Sequence, residues 1–126
     1  MSAVYHEIHQ TKPFRSLEEE VYIAIRLTSE MMDQPWARYL RKTEGISPSQ
    51  YNLLRILRGA GEEGRTKSES SERMLNRDPD VTRLADRTVK LGLARRMRDT
   101  EDRRVVKLFI TEKGLDLLAR LDDSVV

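Results

Sequence analysis

The 126-residue chain has no cysteine, one tryptophan, two histidines and four prolines. Without a thiol, disulfides, thiolate nucleophiles, Cys-ligated zinc, iron–sulfur clusters and thiol redox sensing are all excluded. Long apolar runs are missing too. The longest, Val21-Tyr22-Ile23-Ala24-Ile25, falls far short of the roughly 20 residues that span a bilayer. The first ten residues, MSAVYHEIHQ, lack a basic start followed by an apolar core, so no signal peptide is expected. A soluble, cytoplasmic chain with no membrane partner is the expectation. There is no Gly-rich phosphate loop, no Gly-x-Ser-x-Gly and no His set beside a nucleophile, so no catalytic residue, enzyme activity or cofactor is assigned. His6 and His9 have i, i+3 spacing, but no third ligand stands near them, and they read as surface residues of an arm rather than as a metal site.

Charge of one sign is also scarce overall. Lys plus Arg is 23 and Asp plus Glu is 21, for a net charge of +2. The distribution is uneven. Residues 73–107 hold eleven cations, nine of them Arg, against six anions; this is a local net charge of +5, which leaves −3 on the rest of the chain. The planar guanidinium fork suits phosphates and guanine edges, so the segment reads as a footprint for a polyanion. The six interspersed acids keep a second reading open, in which the same stretch is a solvated face tied by its own ion pairs.

Periodicity then gives an order of elements. Residues 1–15 show no sustained period and read as an N-terminal arm. Ser16 with Glu19 is a capping-box signature. From Leu17 one helical face runs through Val21, Ala24 or Ile25, Thr28, Met32 and Trp36 or Tyr39-Leu40. Glu18-Glu19-Glu20 forms a favourable first turn, and Pro35 should kink or divide the helix. So long an apolar stripe needs a partner chain for part of its length. Trp36, Tyr39, Met31 and Met32 read as core or dimer seam before they read as a ligand pocket. Ser47-Pro48-Ser49-Gln50 starts a second helix, with Tyr51, Leu54 and Leu57 or Arg58 on one face, and Gly59-Ala60-Gly61 stops it. Glu62 to Arg65 is a polar connector. Thr66 to Asn76 is weakly helical. Asp78-Pro79 begins a fourth helix ending at Leu91, with Val81, Leu84, Ala85, Thr88 and Leu91 inward and Thr82, Arg83, Asp86, Arg87 and Lys90 outward. Residues 93–98 and 104–110 read as strands around a charged tip. Thr111 opens a last helix with a Leu115, Leu118, Leu121, Val125 stripe. The fold class is mainly α with a small β-hairpin wing, a winged helix-turn-helix in the order α-α-α-α-β-β-α.

The run from Arg77 to Gly114, RDPDVTRLADRTVKLGLARRMRDTEDRRVVKLFITEKG, resembles the core of the multiple-antibiotic-resistance regulator (MarR) family. The pieces that carry the likeness are Asp80-Val81-Thr82-Arg83-Leu84, Gly92-Leu93, Asp102-Arg103-Arg104 and Thr111 to Gly114. It extends over most of residues 16–122. The resemblance implies a homodimeric repressor of transcription that binds palindromic double-stranded DNA and is released by a small phenolic or anionic effector. It implies an arm at 1–15, a dimerisation helix at 16–45, a DNA-binding lobe at 46–111 and a short C-terminal dimerisation helix at 112–126. It also implies a further long helix where this chain ends, so that pairing would be weakened or lost. Arg77, Asp78, Thr82, Arg83 and Arg87 then fall on the recognition helix. Arg98, Arg103 and Arg104 fall on the wing, where Arg103 or Arg104 would enter a minor groove. Asp99 and Asp102 would support that wing. Ser68, Arg95 and Arg96 would contact the DNA backbone. Two alternatives are a winged-helix module that binds an acidic protein, and a monomeric regulator impaired in DNA binding.

Four positions depart from the family pattern, Ser70, Ser71, Ala85 and Thr88; the family has an aliphatic residue at the first and a small apolar one at the second. Ser70 should face the core, where a hydroxyl without a partner costs roughly 1–3 kcal/mol. Ala85 and Thr88 stand inward where the family prefers leucine. Such truncations imply a loosely packed lobe that leucine at 85 and 88 would stabilise.

Overall fold

Capping decides where most helices begin. In the computed structural model, which describes residues 2–75 and 80–124, Ser2 Oγ accepts from the Tyr5 amide at 3.3 Å and starts helix α1, Ala3–Glu7. A helical turn therefore stands where an aperiodic arm was expected. Ser16 Oγ accepts from the Glu19 amide at 3.2 Å and leads into α2, Leu17–Glu44. Glu18, Glu19 and Glu20 occupy the positive end of α2, and Arg41 and Lys42 its negative end. Pro35 lies inside the 28-residue helix without dividing it. The chain separates into two units, 1–43 and 44–126. In the first, α2 runs for about 42 Å at 1.5 Å per residue. It leaves Leu17, Val21, Tyr22, Ile25, Met31 and Met32 exposed, as a helix waiting for a further apolar surface would.

The second unit is built on α3, Pro48–Ala60. The reciprocal capping box of Ser47 and Gln50 is formed, with Pro48 in the first turn. Leu53, Leu54, Leu57 and Ala60 are buried. A single 3-10 turn, Gly61–Glu63, follows. The expected polar connector then becomes a strand, β1, Arg65–Thr66. Its backbone approaches so closely that a Cβ on Gly64 (φ 65°) would lie 2.7 Å from the Phe109 ring and 2.8 Å from Leu108 O, so only glycine fits. The wing hairpin thereby becomes a three-stranded antiparallel sheet in the order β1-β3-β2, with β2 Ala94–Arg98 and β3 Val106–Ile110.

A second capping box, Thr66 with Glu69, begins α4, Lys67–Arg73. The helix stops short of Asn76. Met74 turns extended and buries its side chain, while the Leu75 amide donates to Asn52 Oδ1 at 2.9 Å. Asp80 Oδ1 accepts from the Arg83 amide at 3.0 Å and caps α5, Val81–Lys90. The Pro79 start and Val125 lie outside the described residues. Val81, Leu84, Ala85 and Thr88 of α5 are buried as expected, whereas Leu91 is 42% exposed because the helix has already ended. The core gathers Leu53, Leu57, Met74, Leu84, Ala85, Ala94 and Leu108.

Helix α6, Glu112–Ser124, buries Leu117, Leu118 and Leu121. Leu115 is 42% exposed instead, since the face buried through Gly114, Leu117, Leu118 and Leu121 is centred away from it and leaves it at the flank. The start of α6 closes over the end of α5. Thr111 Oγ1 donates to Gly92 O at 2.6 Å and accepts from the Gly114 amide at 3.2 Å. The Thr111 amide donates to Leu93 O at 3.1 Å, and Lys113 Nζ to Leu91 O at 2.8 Å. The Gly92-Leu93 and Thr111 to Gly114 pieces of the sequence thus meet in space. Ser70 is fully buried and its Oγ has no hydrogen-bond partner among the described residues, whereas the buried Thr88 hydroxyl donates to Leu84 O at 2.8 Å.

Candidate nucleic-acid interface

The polar face of α5 is displayed to solvent. Thr82, Arg83, Asp86, Arg87 and Lys90 are all exposed. Positions 83, 87 and 90 share one stripe because residues three and four apart are helical neighbours. The Arg83 side chain is 76% exposed, and its Nε lies 3.6 Å from Asp80 Oδ2, the capping carboxylate one turn back. An exposed pair of this kind is weak and leaves the guanidinium able to exchange partners. Arg87 makes no side-chain hydrogen bond or ion pair with the described residues. Arg77 and Asp78, assigned to the same helix from sequence, lie outside them.

The strands bring a second set of cations to this region. Arg96 of β2 pairs with Asp86 of α5. The register sets Arg96 opposite the buried Leu108, on the side of the sheet that meets α5, and Arg95 opposite Phe109. Arg95 stacks its guanidinium 5.4 Å from the Phe109 ring centroid and donates to Met97 Sδ at 3.0 Å. Arg96, which the resemblance makes a phosphate contact, is thus engaged by Asp86 of α5. Ser68 is exposed on α4.

The tip between β2 and β3 is closed by its own side chains. Arg98 Nη1 donates to Arg103 O at 2.7 Å. The Asp99 amide donates to Val105 O at 2.9 Å, and the Val105 amide to Asp102 O at 3.0 Å. Asp102 accepts from the Arg104 amide at 3.0 Å and from its guanidinium at 3.2 and 3.4 Å. These side-chain and then backbone hydrogen bonds from Arg104 hold the Asp102 carboxyl below its usual value. Arg103 is exposed, and its side chain has no partner among the described residues. The tip therefore divides the labour: Arg98, Asp102 and Arg104 fix the loop, and Arg103 is presented.

Sequence reasoning passed over Arg65 and Asp86. Arg65 sits on β1, with its side chain 21% exposed and Nε buried without a partner among the described residues. The Thr66–Glu69 capping box was the available signal, since it makes residues 65–66 an extended lead-in rather than a loop. Asp86 was placed on the outward face but given no role; only the packing of β2 beside α5 provides one. Among the described residues there is no group of three or more His, Cys, Asp or Glu able to hold a metal, and no helix long and apolar enough to cross a membrane.

Searched against models of protein families, the chain matches none. Among curated proteins it is similar to the HTH-type transcriptional repressor MdtR of Bacillus subtilis, at 35% identity over 81 residues, covering 64% of this chain and 51% of the relative. The chain thus spans about half the length of that relative. Among solved structures it is similar to a MarR transcription factor from Planctomyces limnophilus, at 36% identity and a TM-score of 0.72, covering 90% of this chain and 81% of that one. Sco3205 of Streptomyces coelicolor, a MarR family transcriptional regulator solved in complex with DNA, shares the fold at 20% identity and a TM-score of 0.75, covering 87% and 72% of the two chains. With a capped, outward-facing cationic α5, a braced wing and these relatives, the chain belongs to the MarR family of transcription regulators.

Proposed function

We propose that this chain binds double-stranded DNA as a transcriptional repressor, pairing with a second copy on a palindromic operator, and that a small molecule releases it. The observation that carries the reading is the joining of the α5 face to the wing strand by the Arg96–Asp86 pair, which presents two cationic elements as one surface. In this reading α5 enters the major groove. Arg83 and Arg87 read base edges there, and Thr82 meets a thymine methyl or a phosphate. Arg77 and Asp78 are assigned to the start of the same contact. Arg103, unpaired at the tip, enters the minor groove, with Arg98, Asp99, Asp102 and Arg104 holding its loop. Arg95 and Ser68 take phosphates, and Arg96 aligns α5 with β2. The exposed apolar face of α2 supplies pairing surface, and two copies would address half-sites about 34–36 Å apart. Cytoplasmic residence belongs to the same proposal, since the DNA is there.

The test is selection of bound sequences from random duplex DNA, run together with a mass measurement of the complex. A palindromic consensus held by two chains is the expected result. Recovery of no consensus at moderate salt, with retention of an acidic protein instead, overturns it.

A further inference from the structure

The face of the wing sheet turned away from α5 carries a sulfur that the DNA reading does not use. Residues alternate along a strand, so Arg95 and Met97 of β2 share the side opposite to Arg96 and the buried Leu108. Arg95 stacks on the Phe109 ring at 5.4 Å and donates an N–H to Met97 Sδ at 3.0 Å. Both holds are weak, since a thioether is a poor acceptor and an exposed cation–π contact adds little. Met97 is 45% exposed and lines, with Phe109 and Lys107, a hollow of about 490 Å³, so a small solute reaches the sulfur. The other methionines among the described residues differ. Met74 is 8% exposed, and Met31 and Met32 stand on the α2 face assigned above to pairing. With no thiol in the chain, two-electron oxidation of sulfur falls to a thioether.

We infer that Met97 is an oxidation site for hydrogen peroxide, and that its sulfoxide captures the Arg95 guanidinium. A lone pair on Sδ attacks one peroxide oxygen, and the O–O bond breaks as the S–O bond forms. The departing hydroxide takes the proton of the transferred OH and leaves as water. Sulfur gives up two electrons and the peroxide gains them. The new oxygen carries partial negative charge and sits one bond from the atom that the Arg95 N–H already meets. The guanidinium therefore exchanges a weak sulfur contact for a charge-assisted bond to oxygen. The effect on DNA rests on the reading above that Arg95 takes a phosphate: held by the sulfoxide, it no longer reaches one. The oxidation and the capture do not depend on that reading.

The full chain is treated with hydrogen peroxide, the sites are located by peptide mass spectrometry, and the Arg95 Nε–H resonance is followed by NMR. Sulfoxide at Met97 should form well ahead of Met74, and the Arg95 resonance should shift and exchange more slowly with water. In Met97→Leu that resonance should not respond to peroxide. Binding to a duplex is then measured across a salt series. Oxidation should weaken it several-fold and make the salt slope shallower by about 0.9, the share of one phosphate contact. Methionine sulfoxide reductases should restore it. Met97→Leu should bind as the parent does and ignore peroxide, while Arg95→Ala should bind more weakly from the start and lose nothing further. A Met97 that stays a thioether while Met31 and Met32 are oxidised would overturn the proposal. So would an Arg95 resonance unmoved by the sulfoxide, or peroxide weakening Met97→Leu or Arg95→Ala as much as the parent. If the untreated chain holds no duplex, the DNA reading fails instead, and the Arg95 resonance alone decides between capture and none.

Discussion

Arg96 of β2 and Asp86 of α5 form an ion pair that spans two elements which both carry cations outward. Their side chains are 37% and 56% exposed, so the pair contributes only about 0–1 kcal/mol to stability. In the proposed interface its value is alignment. Asp86→Asn should leave the melting temperature almost unchanged. It should strengthen non-specific DNA binding, by removing an anion from the face, and reduce discrimination between operator and random duplex. Competition binding at two salt concentrations measures both; an unchanged discrimination ratio would show that the pair aligns nothing.

Arg83 and Arg103 are expected to differ in kind. Arg83→Ala should cost about 1–3 kcal/mol on the preferred sequence and relax specificity at one position of each half-site. Arg103→Ala should weaken binding most on sites with narrow, A·T-rich flanks. Arg104→Ala should act through a loosened tip, with a smaller flank dependence. Binding to an operator series with altered flanks distinguishes the three.

Ser70 holds a fully buried hydroxyl with no partner among the described residues. Ser70→Ala removes that polar atom and should stabilise the chain by about 1–3 kcal/mol. Thr88→Val should not stabilise it, because the Thr88 hydroxyl already donates to Leu84 O. Thermal melts of the two variants give the comparison, and an unaltered Ser70→Ala midpoint would contradict the packing.

Gly114 sets helix propensity against contact. Alanine is favoured over glycine in a helix interior by about 1 kcal/mol. Here, however, a Cβ would lie 2.4 Å from Leu93 O and 2.7 Å from Ile110 Cγ1. The backbone contact wins, and Gly114→Ala should lower the melting temperature despite its better propensity.

Glu69 is held below its ordinary value of 4.5, first by the backbone and then by the side-chain hydrogen bond with Thr66. A carboxyl depressed in the folded state stabilises fully above its unfolded value. That contribution is lost as pH falls through the lowered folded value. The α4 capping box should therefore weaken below about pH 4.5, and Glu69→Gln, which keeps an acceptor, should flatten that part of the stability–pH curve. Melting midpoints between pH 7 and 3 test the sign.

The parts of this fold legible from sequence were those that short-range chemistry determines. Ser16, the Ser47–Gln50 box and the inward set Val81, Leu84, Ala85 and Thr88 are local facts of spacing and capping, and the structure contains them. β1 was not legible: two residues have no period, and Arg65–Thr66 is a strand only because β3 runs beside it. An inward Leu91 continues a helical period past the end of α5, where it no longer holds, and an inward Leu115 lies within α6 but beyond the edge of the face that Leu117, Leu118 and Leu121 bury. At the site, composition marked the cations of α5 and the tip. It could not show that Arg96 and Arg104 are held by Asp86 and Asp102 while Arg103 is left unheld, because that division depends on strand register and on a loop closed by its own carboxylate.

The hydrogen bonds from Thr111 and Lys113 to the carbonyls of Leu91, Gly92 and Leu93 have a mechanical result. The trailing end of α5 cannot pivot against the first turn of α6 without breaking them, so the two helices tilt as one lever. Whatever grips α6 thereby sets the pitch of the cationic face of α5.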